Sequence, residues 1–207
     1  VKRVLDLDMK GAFMVIGSDG DKRLVDLEMQ IIHEICTELE GKELGPDPGE
    51  HWWKHRYDFY FPPFSLMLPE MFGTIETTST YDKIYDIFKA KQRVITEEFK
   101  EWGTDYMAHF SHWFPWGVMV YDRFLIAKPP KDPHEALQLH TEIWGKAARA
   151  SLEHGGVLND HHGIGFKLGW LMEEQYGAAW PMMQGIKDAL DPAGIMNPGK
   201  LGFIRRK

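Results

Sequence analysis

Two adjacent histidines lie in a segment that could carry acid–base chemistry. Residues 159–165 read NDHHGIG, so His161 and His162 lie between a short apolar stretch and a region of helical periodicity. Imidazole titrates close to neutral pH, and neighbouring histidines can act as a base and its support or as metal ligands. The glycines let the backbone approach a ligand closely. A surface cap with two exposed histidines is the alternative.

A second segment, residues 109–117, reads HFSHWFPWG and precedes an apolar strand pattern that contains Tyr121. His112 and Trp116 are side chains that can line a binding pocket. The hydroxyl of Tyr121 could donate or accept a proton in a site that excludes water. Packing of the aromatic rings in the core is the alternative for this segment.

Two further segments could bind a charged ligand. Arg56 ends the aromatic run HWWKHR, and a guanidinium binds carboxylate or phosphate with two parallel hydrogen bonds. A surface ion pair is the alternative for Arg56. Asn197 and Lys200 belong to an NPGK segment near the C-terminus and could reach a cofactor, although composition alone predicts only a loop there.

Composition excludes several classes of protein. The 207 residues include 24 Lys and Arg against 31 Asp and Glu, and the net charge of −7 argues against a nucleic-acid-binding face. No apolar run reaches the roughly 18–20 residues of a membrane span. Cys36 is the single cysteine, which excludes a disulfide framework and a cysteine metal site. A reducing, cytoplasmic compartment is therefore expected.

Hydrophobic periodicity predicts the order of the elements that position these side chains. An α+β fold is expected, in which an antiparallel sheet has helices packed on one face and further helices follow towards the C-terminus. The predicted strands cover residues 11–17, 73–80, 106–111, 117–127 and 157–158. The predicted helices cover residues 23–40, about 80–102, 134–152, 166–176 and 178–190.

In this order the motifs resemble the C-terminal substrate, or cap, domain of FAD-linked oxidases of the vanillyl-alcohol oxidase superfamily. The motifs are GAFMVIGSDGD, WxxR, TIETTSTYD, SHWFPWGVMVY, GGVLNDHHGIGFK and DPAGIMNPGKL. The resemblance spans nearly the whole chain. It implies a ferredoxin-like cap over residues 1–152. Residues 153–207 then form the His-Gly loop, the last helices and the NPGK tail, in the same structural unit and in contact with the flavin half.

Two branches of the superfamily fit different motifs. In the 2-hydroxy-acid dehydrogenase branch the arginine of WxxR, here Arg56, binds the substrate carboxylate. The alkylglycerone-phosphate synthase branch resembles the chain in TIETTSTYD and in an active-site tyrosine, here Tyr121. Metal-dependent members carry a histidine where this chain has Met119 and a glutamate where it has His161. No metal site of the family type is therefore expected.

The resemblance implies the substrate-binding half of an FAD-dependent oxidoreductase that oxidises an alcohol or a 2-hydroxy acid such as glycolate or D-lactate. FAD would be bound mostly by a domain or subunit outside this chain, which is not expected to be active alone. The substrate would be a small anionic or aromatic alcohol. An alkylglycerone-phosphate synthase-like flavoenzyme half and a cap-fold binding module without flavin are the alternatives. The implied site residues are His162, Tyr121 and His161 for catalysis, Arg56, His112 and Trp116 for the substrate, and Asn197 and Lys200 for the cofactor.

Overall fold

The computed structural model describes residues 12–58 and 71–204. The chain divides into two units, residues 1–67 and residues 68–207. No helix within the described ranges is long and apolar enough to cross a membrane. The functional division expected at residue 152 stays a prediction.

The described part of the first unit contains two helices. Helix α1, Lys22–Glu38, begins after Asp21, whose side chain accepts a hydrogen bond from the backbone N–H of Arg23. Helix α2, Asp47–His55, has a proline in its first turn. The strand predicted at residues 11–17 is wrong for residues 12–17, because the described part of this unit offers no second strand to pair with them.

The second unit is built on a three-stranded antiparallel sheet in the order β1–β3–β2. The strands are β1, Met71–Thr80, β2, Thr104–Phe114, and β3, Gly117–Ile126. A two-residue turn joins β2 to β3. The register shifts between Ser111 and Trp113, which leaves His112 as an extra residue with φ of 50°.

Two helices cover one face of this sheet, which confirms the predicted α+β architecture. Helix α3, Tyr81–Arg93, continues as a π-helical turn, Val94–Glu98, and a 3-10 turn, Lys100–Trp102. Helix α4, Pro133–Glu153, begins after Asp132, whose carboxylate accepts two backbone N–H bonds. The helices and the sheet bury a common apolar core that includes Ile75, Ile95, Phe124, Ile126, Ile143 and Ala147.

A buried ion pair fastens α3 to the centre of the sheet. Asp122 accepts hydrogen bonds from the ammonium of Lys91 and from the hydroxyl of Tyr106. Burial raises the pKa of Asp122, and the positive charge of Lys91 opposes that shift. Burial also raises the pKa of Tyr106, so its hydroxyl keeps the proton that it donates.

The C-terminal part is helical, as the sequence predicts, except that residues 157–158 form no strand. After residue 190, the side chain of Asp191 accepts hydrogen bonds from the backbone N–H groups of Ile195 and Met196 and from the ammonium of Lys187. The elements in this part are a 3-10 turn, Gly169–Leu171, helix α5, Met172–Tyr176, a 3-10 turn, Gly177–Ala179, helix α6, Trp180–Leu190, and a 3-10 turn, Lys200–Gly202.

Candidate functional site

The face of the sheet that α3 and α4 leave open carries polar side chains at one level on all three strands. Glu76 of β1 and His109 of β2 are the cross-strand partners of Tyr121 on the central strand. Successive side chains of a strand point to opposite faces, so these residues lie on the face opposite Ile75 and Asp122. The rings of His109 and Tyr121 stack with 5.0 Å between centroids. Burial and the nearby charge of Arg123 lower the pKa of His109.

The loop after α4 brings two histidines onto Tyr121. The ring centroid of Tyr121 is 5.4 Å from that of His162 and 5.9 Å from that of His161. The ring centroids of His161 and His162 are 4.2 Å apart. The three residues predicted as catalytic therefore converge at one place on the open sheet face.

Glu76 on the sheet binds the loop that carries His161 and His162. Its side chain is only 1% exposed. It accepts the backbone N–H of His162 at 3.0 Å, lies 2.6 Å from ring Nδ1 of the same residue, and accepts the side-chain amide of Asn159. Asn159 in turn accepts the backbone N–H of Gly163 at 2.6 Å. The sequence motifs did not single out Glu76, although an acidic residue inside a strand of β-branched residues is a signal that could have identified it.

A second carboxylate joins His112 to the same cluster. Oδ2 of Asp160 lies 3.0 Å from Nδ1 of His112 and 3.1 Å from Nδ1 of His161. Its other oxygen accepts the hydroxyl of Thr78 at 2.6 Å. Burial alone would raise the pKa of Asp160, but the hydrogen bonds from Thr78 and from the two imidazoles lower it below its ordinary value. The extra residue in β2 places His112 where it can make this contact.

Among the described residues, the side chains of His112, Asp160 and His161 form the group that could hold a metal ion. One ligand atom each from His112, Asp160 and His161 lie within 4.8 Å of one another. Two imidazoles and a carboxylate are donors that zinc and other divalent ions accept. The chemistry of the donors is thus compatible with an ion, while the described contacts are hydrogen bonds between the rings and the carboxylate.

Trp116 lies at the β2–β3 turn and is 56% exposed. Its ring stacks on Phe114 with 5.1 Å between centroids. Both rings line an open cleft of about 330 Å³ together with Thr78, Lys83 and Asp160. The carboxylate of Asp160 therefore belongs both to the cleft and to the histidine cluster, which consists of His112, His161 and His162.

The other predicted site residues make different contacts within their own units. Arg56 belongs to the first unit, where its guanidinium lies 3.7 Å from the ring centroid of Trp53 and 4.5 Å from that of Tyr57. The ammonium of Lys200 lies 4.3 Å from the ring centroid of Phe166. Asn197 has φ of 47°, and its carbonyl accepts the N–H of Lys200. Their roles towards substrate and cofactor stay predictions.

Comparison with known proteins places the chain in a family. The family model of the FAD linked oxidases, C-terminal domain, matches residues 3–201. This chain belongs to that family. The resemblance read from the motifs is confirmed, and members of the family are flavoproteins that use FAD.

Individual relatives share the chain to different extents. An alkyldihydroxyacetonephosphate synthase of Dictyostelium discoideum is 28% identical over 191 residues, which cover 90% of this chain and 31% of the relative. A solved alkyldihydroxyacetonephosphate synthase structure is 25% identical, with a TM-score of 0.48, over 86% of this chain and 28% of that one. A probable mitochondrial D-lactate dehydrogenase of Danio rerio is 37% identical over 78 residues, which cover 37% of this chain and 16% of the relative. The chain thus spans less than a third of the length of these relatives.

Proposed function

We propose that this chain is the substrate-binding part of an FAD-dependent oxidoreductase that oxidises an alcohol or a 2-hydroxy acid. The observation that carries the proposal is the convergence of His162, His161 and Tyr121 on an open polar sheet face, in a chain of an FAD-linked family. The two imidazoles are each 38% exposed, so a substrate can reach them from the open side. FAD, when bound, would accept the hydride that leaves the substrate carbon.

The histidine cluster supplies the proton chemistry. Loss of hydride from an alcohol carbon requires that the hydroxyl lose its proton, and a general base must lie within hydrogen-bond reach of that hydroxyl. His162 or Tyr121 takes this proton in the proposal, and His161 supports it. FAD would be held mostly by a domain or subunit outside the chain, as the family resemblance implies.

The remaining site residues bind the substrate and face the cofactor in the proposal. His112 and Trp116 border the cluster and its neighbouring cleft, where a substrate can be oriented. Arg56 binds an anionic group of the substrate. Asn197 and Lys200 would contact the cofactor in the proposal. In support, the N–H of Leu201, next to Lys200, donates to the carbonyl of Gly165, so this segment lies beside residues 159–165.

An alkylglycerone-phosphate synthase-like activity is the second candidate. One observation favours it: the synthase relative aligns with 90% of this chain, whereas the D-lactate dehydrogenase relative aligns with 37%. In that activity the flavin undergoes no net redox turnover, and Arg56 would face a phosphate.

Flavin reduction and product analysis separate the candidates. The chain is assembled with its FAD-binding part and mixed without oxygen with glycolate, D-lactate or a primary alcohol. Bleaching of the flavin, with formation of the keto acid or aldehyde, supports the oxidoreductase. An ether-lipid precursor formed without consumption of an electron acceptor supports the synthase. An assembly that binds no FAD supports a binding module instead. The cytoplasmic location stays a prediction.

A further inference from the structure

We propose that Glu76 is a positioning residue that makes His162 the base of this site. Its carboxylate keeps the proton of the imidazole on Nδ1 and leaves the lone pair of Nε2 free to accept a proton. The inference rests on the proposed function, because a base is needed only if the site removes a proton from a substrate. It also selects His162 from the two bases, His162 and Tyr121, that the proposed function leaves open.

The hydrogen bonds around Glu76 determine where the ring proton must lie. One carboxylate oxygen, Oε1, accepts the backbone N–H of His162 and the side-chain amide of Asn159. The other, Oε2, lies 2.6 Å from ring Nδ1 of His162. Because a carboxylate only accepts hydrogen bonds, Nδ1 of His162 carries the hydrogen in the proposal. In a neutral imidazole the second nitrogen, Nε2, is then an acceptor.

The position of Glu76 in a buried part of the sheet holds its carboxylate in place. Glu76 is 1% exposed and pairs with Tyr121 across the centre of the sheet. Its backbone is fixed by the β1–β3 ladder. Both the backbone and the ring of His162 bind to the same carboxylate, so ring and loop cannot rotate independently. A carboxylate that orients a catalytic imidazole in this way fixes both its tautomer and its direction.

The other groups of the cluster lack such an individual partner. His112 and His161 share one oxygen of Asp160, and the ring of His112 is half exposed. The hydroxyl of Tyr121 makes no hydrogen bond within the described ranges, and its contacts are ring contacts with His109, His161 and His162. His162 is therefore the group whose proton position is fixed by a buried charge.

Nitrogen-15 NMR of the full chain tests the inference without any assay of activity. Histidine is labelled with nitrogen-15, and two-bond proton–nitrogen spectra are recorded at about pH 8, above the ordinary pKa of an imidazole. The variant His162→Asn assigns the ring signals by their loss. We expect the hydrogen of His162 on Nδ1, whereas an imidazole in water favours Nε2. A wild-type His162 with its hydrogen on Nε2 would overturn the inference, whatever any variant does.

The isosteric variant Glu76→Gln sharpens the test. Its carbonyl oxygen can still accept the backbone N–H of His162 and the amide of Asn159, but its NH₂ group then faces Nδ1 as a donor. We expect the ring hydrogen to move to Nε2. The control Thr78→Val removes a hydrogen bond to Asp160 from the same strand face and should leave His162 unchanged. His140 reports folding in the same spectra, because its ring contacts Phe72 and Lys167 away from the cluster.

Kinetics of the assembled flavoprotein separate this inference from the proposed function. Glu76→Gln should lower flavin reduction at saturating substrate by on the order of 10²–10⁴-fold, with little change in the half-saturating concentration. If His162→Asn abolishes reduction and Glu76→Gln does not lower it, the inference fails and the proposed function stands. If neither variant lowers reduction, the proposed role of His162 fails as well.

Discussion

Two buried acids on neighbouring positions of the sheet have different tasks. Asp122 is the cross-strand partner of Ile75, and both lie on the face that the helices cover. Its hydrogen-bond partners are Lys91 and Tyr106. Glu76, one residue further along β1, lies on the open face, and its partner is an imidazole. A buried charge is tolerated only when it is paired, so each acid requires its partner. The first pairing supports the fold, and we propose that the second positions the base of the site.

Removal of Lys91 should reveal the cost of leaving Asp122 unpaired. We expect Lys91→Met to lower the free energy of unfolding by about 3–5 kcal/mol, because a buried charge loses its partner. The double variant Lys91→Met with Asp122→Asn should recover most of this loss, since Asn still accepts the hydroxyl of Tyr106. Urea denaturation measures both. A double variant no more stable than Lys91→Met would contradict the explanation.

Lys167 should be the more reactive of two lysines on the helical side. Burial lowers the pKa of Lys167 to about 8, and its ammonium lies 3.7 Å from the ring centroid of Trp144. Hydrogen bonds from Lys146 to Glu98 and Glu142 raise the pKa of Lys146 instead. Trace acetylation at increasing pH, read by mass spectrometry, should show Lys167 reaching half of its full reactivity near pH 8 and Lys146 only at higher pH. Parallel curves for the two lysines would contradict this prediction.

At the scale of elements, the β1–β3 ladder requires a residue without a side chain at one position. A Cβ atom on Gly117 would lie 2.2 Å from the carbonyl oxygen of Ser79. Gly117→Ala should therefore lower the free energy of unfolding by about 1–3 kcal/mol. The matched control is Gly185→Ala in α6, where no described atom beyond the neighbouring residues and the backbone of the helix itself lies within 4 Å of the added Cβ. Alanine should raise stability there by about 0.5–1 kcal/mol. Equal urea midpoints for the two variants would contradict the ladder argument.

The loop after α6 should weaken in acid. The hydrogen bond from Lys187 and the backbone N–H groups of Ile195 and Met196 lower the pKa of Asp191 to about 2, from an ordinary value of 3.8. An acid with a lowered pKa in the folded state contributes stability above its unfolded pKa and loses it as the pH falls through its folded pKa. Asp191→Asn should thus lower the melting temperature at neutral pH, and the difference from wild type should narrow between about pH 4 and pH 2. A constant difference over that window would contradict it.

Local patterns predicted most elements of the second unit, and tertiary contacts explain what they missed. Alternation and β-branched residues located β1, β2 and β3, and apolar spacing located α3 and α4. Residues 12–17 have a strand-like composition but no described strand partner in their unit. The motif HHG identified His161 and His162. The roles of Glu76 and Asp160 are visible only in the fold, because Glu76 contacts His162 across 86 residues and Asp160 contacts His112 across 48 residues of sequence. Such pairings leave no periodic signal in one sequence.

At the scale of the whole molecule, the chain is one part of a larger catalytic arrangement in our proposal. The Dictyostelium discoideum synthase relative is about three times as long as this chain, and His161 and His162 on the polar sheet face are partly exposed. In this proposal the chain contributes the base, its positioning carboxylate and the substrate-binding side chains. We therefore expect no oxidation of substrate by the chain alone.

Flavin reduction by the assembled protein is the sharpest test of whether His162 is the base of this site. Wild type, His162→Asn and the control His134→Gln, an exposed residue at the start of α4, are mixed without oxygen with a saturating substrate in a stopped-flow spectrometer. We expect His162→Asn to slow reduction by on the order of 10²–10⁴-fold, as the loss of a general base does, and the control to react as wild type. A reduction rate for His162→Asn equal to that of wild type would contradict it.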